Sequence, residues 1–154
     1  MLNIKKILLP VDFSEFSKIA APYAVDLARK FEADLFIIHV FDENILDPYY
    51  FGEDDYAEKY FMNLQKEFQE KIDDILEDIE TEDINIIPIL ANGAPFIEIL
   101  KFTKKEKIDM MVVSTHGRSG LSQMFMGSTA EKVVRKSPCP VLSVRHPEFE
   151  FEMP

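Results

Sequence analysis

Short, nearly unbroken apolar runs alternate along this chain with longer stretches whose apolar residues recur every three or four positions. That alternation restricts the fold more than any other feature. The short runs lie at Ile4–Leu9, Leu35–Val40, Ile84–Leu90, Met110–Val113 and Val141–Val144. Most lack the polar alternation of a strand with one wet face, as expected of parallel strands covered on both sides. Between them, Ala20, Ala24, Leu27 and Phe31 repeat at helical spacing behind Ser14, a residue suited to an N-cap. Phe61, Leu64, Phe68, Ile72, Ile75 and Ile79 mark a long amphipathic helix. Pro95, after Asn92-Gly93-Ala94, suits the first turn of a third helix reaching about Lys105, and a fourth should start near Ser128. The order β-α-β-α-β-α-β-α-β predicts an α/β fold with one parallel sheet and helices on both faces.

Neither repeats nor linkers divide the chain, so we expect one domain over 1–146 and a tail over 147–154. A chain of 154 residues can bury a sizeable core without disulfides or metal. Two segments fit the scheme poorly. "FDENILDPYYFGEDD" (41–55) reads as a solvated connection or a lid, and the tail "HPEFEFEMP" (146–154) as a strand-like extension or a frayed end. The formal charge of −11 repels polyanions, which argues against nucleic acid as a partner. The single cysteine, Cys139, cannot form an internal disulfide and suits a reducing compartment. Pro10 and Asp12 interrupt the first apolar patch too early for a signal peptide, and no apolar window has the length of a membrane span. These features predict a cytoplasmic protein with no membrane partner.

The stretch "STHGRSGLSQMFMGST" (114–129) directly follows the apolar run Met110–Val113 and holds Gly117, Gly120 and Gly127, three of the five glycines in the chain. In open α/β sheets, ligands settle beyond the carboxyl ends of the strands, where the connections change direction. Ser128 and Glu131 have the spacing of a capping box, which would satisfy the start of a fourth helix. The same helix start could instead receive a phosphate, with Gly117 and Gly127 admitting it closely and the hydroxyls of Ser128 and Thr129 donating to it. The stretch is neither a Walker P-loop nor a G-x-G-x-x-G after the first strand. Other polar residues leave two readings each. Asp12, after Pro10-Val11, is a cap for helix one or a ligand group. His116 is a turn histidine or a phosphate contact, and Arg118 covers a triphosphate or offsets local acidity. His39 reads as a hydrogen-bonded core histidine and Cys139 as inert packing. No residues have metal-site spacing, and no nucleophile elbow, triad or water-orienting base is evident, so no catalytic residue is assigned.

Four segments together resemble the universal stress protein family over nearly the whole chain: "KKILLPVDFSEFSKIAAPYAVDLA", "LFIIHVF", "GAPFIEIL" and "IDMMVVSTHGRSGLSQMFMGSTAEKVVRKSPCPVLSVR". Nucleotide-binding members of that family carry Gly, two residues, Gly, nine residues, then Gly and Ser or Thr. Here Gly117, the nine residues 118–126 and Gly127-Ser128 match, while Ser114 replaces the first glycine. The resemblance implies an open five-stranded parallel sheet in the order 3-2-1-4-5. It also implies binding of ATP or a related adenine nucleotide, with Mg²⁺ arriving on the phosphates. Asp12, beside Pro10 and Val11, and Val40 would contact the nucleoside. Gly117, Gly127, Ser128 and Thr129 would hold ribose and phosphates, with Ser114, His116 and Arg118 completing the set. The implied role is a stress-response switch with at most slow hydrolysis of ATP. The alternative is an interaction protein of the same fold without nucleotide. A phosphoacceptor receiver shares the architecture, but "LANGAP" and "PVLSVRH" lack its aspartate and lysine. The resemblance and the apolar character of strand five also imply a homodimer through Val141, Leu142, Ser143 and Val144, since an open apolar edge invites pairing.

Overall fold

The computed structural model describes residues 2–41, 54–115 and 127–146. Nine elements follow in order: β1 (Lys6–Pro10), α1 (Glu15–Phe31), β2 (Asp34–Phe41), α2 (Asp54–Leu76), β3 (Ile86–Asn92), α3 (Pro95–Glu106), β4 (Met110–Ser114), α4 (Ser128–Lys136) and β5 (Val141–Val144). The strands form one sheet in the order β3-β2-β1-β4-β5, and every pairing is parallel. This is the doubly wound α/β architecture that the alternating pattern predicts.

Two faces explain the unbroken apolar runs. Successive side chains of a strand point to opposite sides. Ile7, Leu9, Leu35 and Ile37 therefore join one core, beneath Ala20, Ala24 and Ala28 of α1 and Phe68, Ile72 and Ile75 of α2. Leu8, Phe36, Ile38, Met111 and Val113 join the other, which includes Ile99 of α3 and Val133 of α4. Alanines on the buried stripe of α1 let that helix lie close against the sheet, and Ala20, Ala21, Ala24 and Ala28 are fully buried. Arg29 ties α1 to the approach to β3: its Nε donates to Asp83 Oδ2 at 2.6 Å and its Nη2 to the Glu80 carbonyl at 2.7 Å. The bonded guanidinium holds the Asp83 carboxyl below the usual carboxylate range.

Element boundaries differ from expectation in instructive ways. β1 begins at Lys6, although Ile4 is already buried ahead of it. Helix α2 ends at Leu76, and Ile79 follows it in a turn whose amide donates to the Leu76 carbonyl. The segment expected to be a connection over 41–55 is shorter than its composition suggests, because Phe41 ends β2 and α2 starts at Asp54; residues 42–53, like the tail 147–154, lie outside the described residues. Pro95 opens α3 as expected, with Ala94 as its N-cap residue. Gly93 before it adopts φ +131°, and a Cβ there would meet Glu98 Cγ at 3.1 Å, so glycine is required.

The expected capping box is not formed. Gly127, not Ser128, occupies the N-cap position of α4, and no side chain caps that end among the described residues. Glu131 turns down the helix instead, where its Oε1 pairs with Arg135 Nη2 at 3.2 Å, four residues on.

Fully buried Ile37 sits in the central strand pair β1–β2 and registers with Leu9. Ile37→Ala should cost about 2–5 kcal/mol through lost transfer energy and the cavity left behind. A urea melt should show a lower midpoint with an unchanged slope, whereas an unchanged midpoint would mean that this strand is not central to the core.

Candidate functional site

The β1–β4 ladder is short. Ile7 registers with Met110 and Leu8 with Met111, yet β1 runs on to Pro10 and β4 to Ser114. Beyond that ladder the two strands part, and a cavity of about 280 Å³ opens at the carboxyl ends of the sheet. Its apolar wall comes from Val11, Ile38, Val40, Ile99, Val113 and Val133, and its polar side from Asp12, Ser17, Ser114, Ser128 and Thr129. Such a mixture, mostly apolar with a few converging polar groups, suits a small organic ligand.

Of the residues singled out from the sequence, Pro10, Val11, Asp12, Val40, Ser114, Gly127, Ser128 and Thr129 all line this cavity. His116, Gly117 and Arg118 lie outside the described residues. These residues come from separate parts of the chain. The turn after β1 supplies Val11 and Asp12, β2 supplies Val40, β4 ends in Ser114, and the first turn of α4 supplies Ser128 and Thr129. The Gly127 amide donates to the Thr115 carbonyl at 2.7 Å, which ties the start of α4 to the end of β4. With no side-chain cap, the amide-rich end of α4 borders the cavity and carries the positive end of the helix dipole.

Two backbone observations bear on the glycines. Gly127 has φ −57° and ψ 143°, angles open to any residue, so the backbone itself does not demand glycine there. Ser114 closes β4 and is not among the residues with positive φ. Serine in place of the first motif glycine therefore introduces no backbone strain.

Asp12 is held by its own turn. Its Oδ1 accepts from the Ser14 amide at 3.0 Å, the Ser14 hydroxyl at 2.6 Å and the Ser17 hydroxyl at 2.9 Å. Ser14 is the N-cap residue of α1, as expected, but its hydroxyl bonds to Asp12 rather than to the helix amides. Asp12 accordingly braces the turn ahead of α1. Phe13 completes that turn at φ 61°, a left-handed conformation costing about 1–3 kcal/mol for a non-glycine residue. Packing offsets the strain: the Phe13 ring lies 4.4 Å from the His39 ring and 6.1 Å from the Phe68 ring, between centroids. His39 is half-buried and its Nδ1 lies 2.9 Å from the Val11 carbonyl. A carbonyl only accepts, so Nδ1 carries the proton of that bond.

Ser17 and Phe13 were missed by inspection of the sequence. The only signal for Ser17 in the sequence is its spacing of three from Ser14 and five from Asp12. Cys139 sits away from the cavity, and burial pushes its thiol up from the ordinary range, as suits a packing residue rather than a nucleophile.

Comparison with known proteins gives a consistent result. A sequence model of the universal stress protein family matches residues 3–145. Universal stress protein MJ0531 of Methanocaldococcus jannaschii is 33% identical over 147 residues, covering 95% of this chain and 85% of that one. The solved structure of protein MJ0577 from the same organism superimposes with a TM-score of 0.72 at 27% identity, covering 96% of this chain and 99% of that one. A universal stress protein solved in complex with cAMP shares the fold, with a TM-score of 0.66 at 20% identity and coverage of 94% of this chain and 98% of that one.

The hydrogen bonds around Asp12 make a specific demand on the ligand-free protein. Asp12→Ala strips three of them from the entry to α1 and should lower stability by about 1–2 kcal/mol, comparable to the loss of a helix cap. A thermal melt without ligand measures this, and an unchanged midpoint would show that the carboxylate has no bracing role.

Proposed function

This chain belongs to the universal stress protein family, and from that we propose that it binds ATP or a related adenine nucleotide in the cavity between β1 and β4, acting as a nucleotide-dependent stress-response switch in the cytoplasm. The observation that carries this reading is the convergence on one cavity of residues from two distant segments, Pro10–Asp12 and Ser114 with Gly127–Thr129. Their chemistry fits the group. Val11, Ile38, Val40 and Val113 offer an apolar slot for a base. Asp12, as a carboxylate, accepts from amino or hydroxyl groups of the nucleoside. The uncapped start of α4, with the hydroxyls of Ser128 and Thr129, suits phosphate oxygens. The cAMP complex of a protein with this fold is compatible with such a site. His116, Gly117 and Arg118 complete the proposed set from the neighbouring loop.

We propose that Mg²⁺ arrives on the nucleotide's phosphates. The residues lining the cavity include one carboxylate, Asp12, already engaged by three donors. We therefore read the site as one for binding, with hydrolysis at most slow. Among the described residues no helix is long and apolar enough to cross a membrane. We retain one domain over 1–146 followed by a tail.

We also propose that the chain forms a homodimer through β5. This strand lies at the sheet edge, and Leu142 on it is 39% exposed. The amides of Met111 and Thr115 donate to the carbonyls of Pro140 and Val144. By strand alternation, the main-chain groups of Val141 and Ser143 then face the open side. Antiparallel pairing with a second β5 would satisfy both edges in a closed two-fold contact.

Two measurements test these readings. Millimolar Mg-ATP should raise the melting temperature by mass action, and Gly127→Val should abolish the shift by placing a branched side chain at the cavity rim. An unchanged melting curve for the unsubstituted protein would favour an interaction protein without nucleotide. Light scattering at tens of micromolar should give a dimer for the unsubstituted chain and a monomer for Ser143→Pro, which removes an outward amide. A monomer in both cases would contradict the β5 interface.

A further inference from the structure

We infer that Ser17 is a positioning residue for ligand recognition: its hydroxyl fixes the orientation in which Asp12 presents its carboxylate to the cavity. The inference rests on the adenine-nucleotide reading of the same site and names a residue that the motif comparison leaves out.

Ser17 is only 1% exposed, an unusual place for a serine, and it lines the cavity from the first turn of α1. Its single hydroxyl makes two bonds to one residue. It donates to Asp12 Oδ1 at 2.9 Å and accepts from the Asp12 amide at 3.1 Å. Its one donor and one of its two acceptor sites are thus engaged on Asp12, gripping the aspartate by main chain and side chain together. Ser14 adds two further donors to the same oxygen. Their bonds to an ionised acceptor are of the stronger kind.

The difference between the two serines lies in how each is anchored. Ser14 sits in the turn itself, beside the left-handed Phe13. Ser17 belongs to the first turn of α1, a helix whose alanine face packs on the sheet, and its amide donates to the Ser14 carbonyl at 2.9 Å. Ser17 therefore transmits the position of a packed helix to a carboxylate on a turn. An acceptor held in advance loses less conformational freedom when a ligand arrives, and so binds more tightly without any added contact.

This predicts coupling between two substitutions. ATP affinity, measured by calorimetry with Mg²⁺, should fall on the order of tenfold in Ser17→Ala, the consequence of losing one hydrogen bond to a charged group. It should also fall in Asp12→Ala. The double variant should bind no more weakly than Asp12→Ala alone, because Ser17 acts only through the aspartate. Ser17→Thr, which keeps the hydroxyl, should recover most of the affinity. If Ser17→Ala does not fold in a melt without ligand, Ser17→Cys, close in size and a poor hydrogen-bonding partner, takes its place in the cycle. An equal loss from the serine substitution with and without Asp12 would reveal a merely structural role and overturn the inference, as would no loss at all. Failure of the unsubstituted protein to bind ATP would overturn the nucleotide reading and the inference together, a result distinct from binding with additive losses.

Discussion

Strand β1 lies between β2 and β4 with both faces covered, and the rest of the molecule is arranged around it. Ile7, Leu8 and Leu9 are wholly inaccessible and divide between the two cores. A parallel strand in this position must be flanked by right-handed crossovers running in opposite directions. The chain winds from β1 outward to β3, then returns across the sheet to β4 and β5. At the carboxyl end of β1 the connections leave to opposite faces, and nothing in the sheet itself fills the space between them. The short ladder between β1 and β4, ending at Leu8 and Met111, is the local expression of that topology. The cavity follows from the strand order.

Once the opening exists, its lining is decided by short-range chemistry. The turn after β1 has to reverse direction within a few residues before α1 can pack on the sheet. It does so with a strained Phe13, held by His39 and Phe68, and with an aspartate knotted to two serines. On the other side, among the described residues α4 begins without a side-chain cap, because its N-cap residue is the glycine Gly127. One rim therefore presents an acceptor and the other a row of donors. This asymmetry matches a ligand with hydroxyl or amino groups at one end and negative charge at the other.

Much of this was legible in the sequence, for identifiable reasons. Strands buried on both faces leave continuous apolar runs, so β2 and β4 were found within a residue or two of their ends. Pro95 announced α3 because proline is favoured in the first turn of a helix, although α1 also carries Pro22 in its interior. Gly127 and Asp12 led to one cavity although more than a hundred positions separate them in the chain. The capping box was misread because the spacing of Ser128 and Glu131 does not show where the helix begins: with Gly127 as the N-cap, Ser128 is already inside α4. Ser17 was overlooked for a related reason. A buried serine and an exposed one look alike in a sequence, and only the fold shows that this hydroxyl points back to Asp12.

We propose that the carboxyl end of the sheet, between β1 and β4, binds an adenine nucleotide. Amide chemical shifts of isotope-labelled protein, followed while Mg-ATP is added, test it most directly because they report where a ligand sits. Saturable shifts are expected at Val11, Asp12, Val40, Ser114 and Gly127–Thr129, with the outer helix α2 and the amino ends of the strands unaffected. Shifts confined to another surface, or none at millimolar nucleotide, would contradict it.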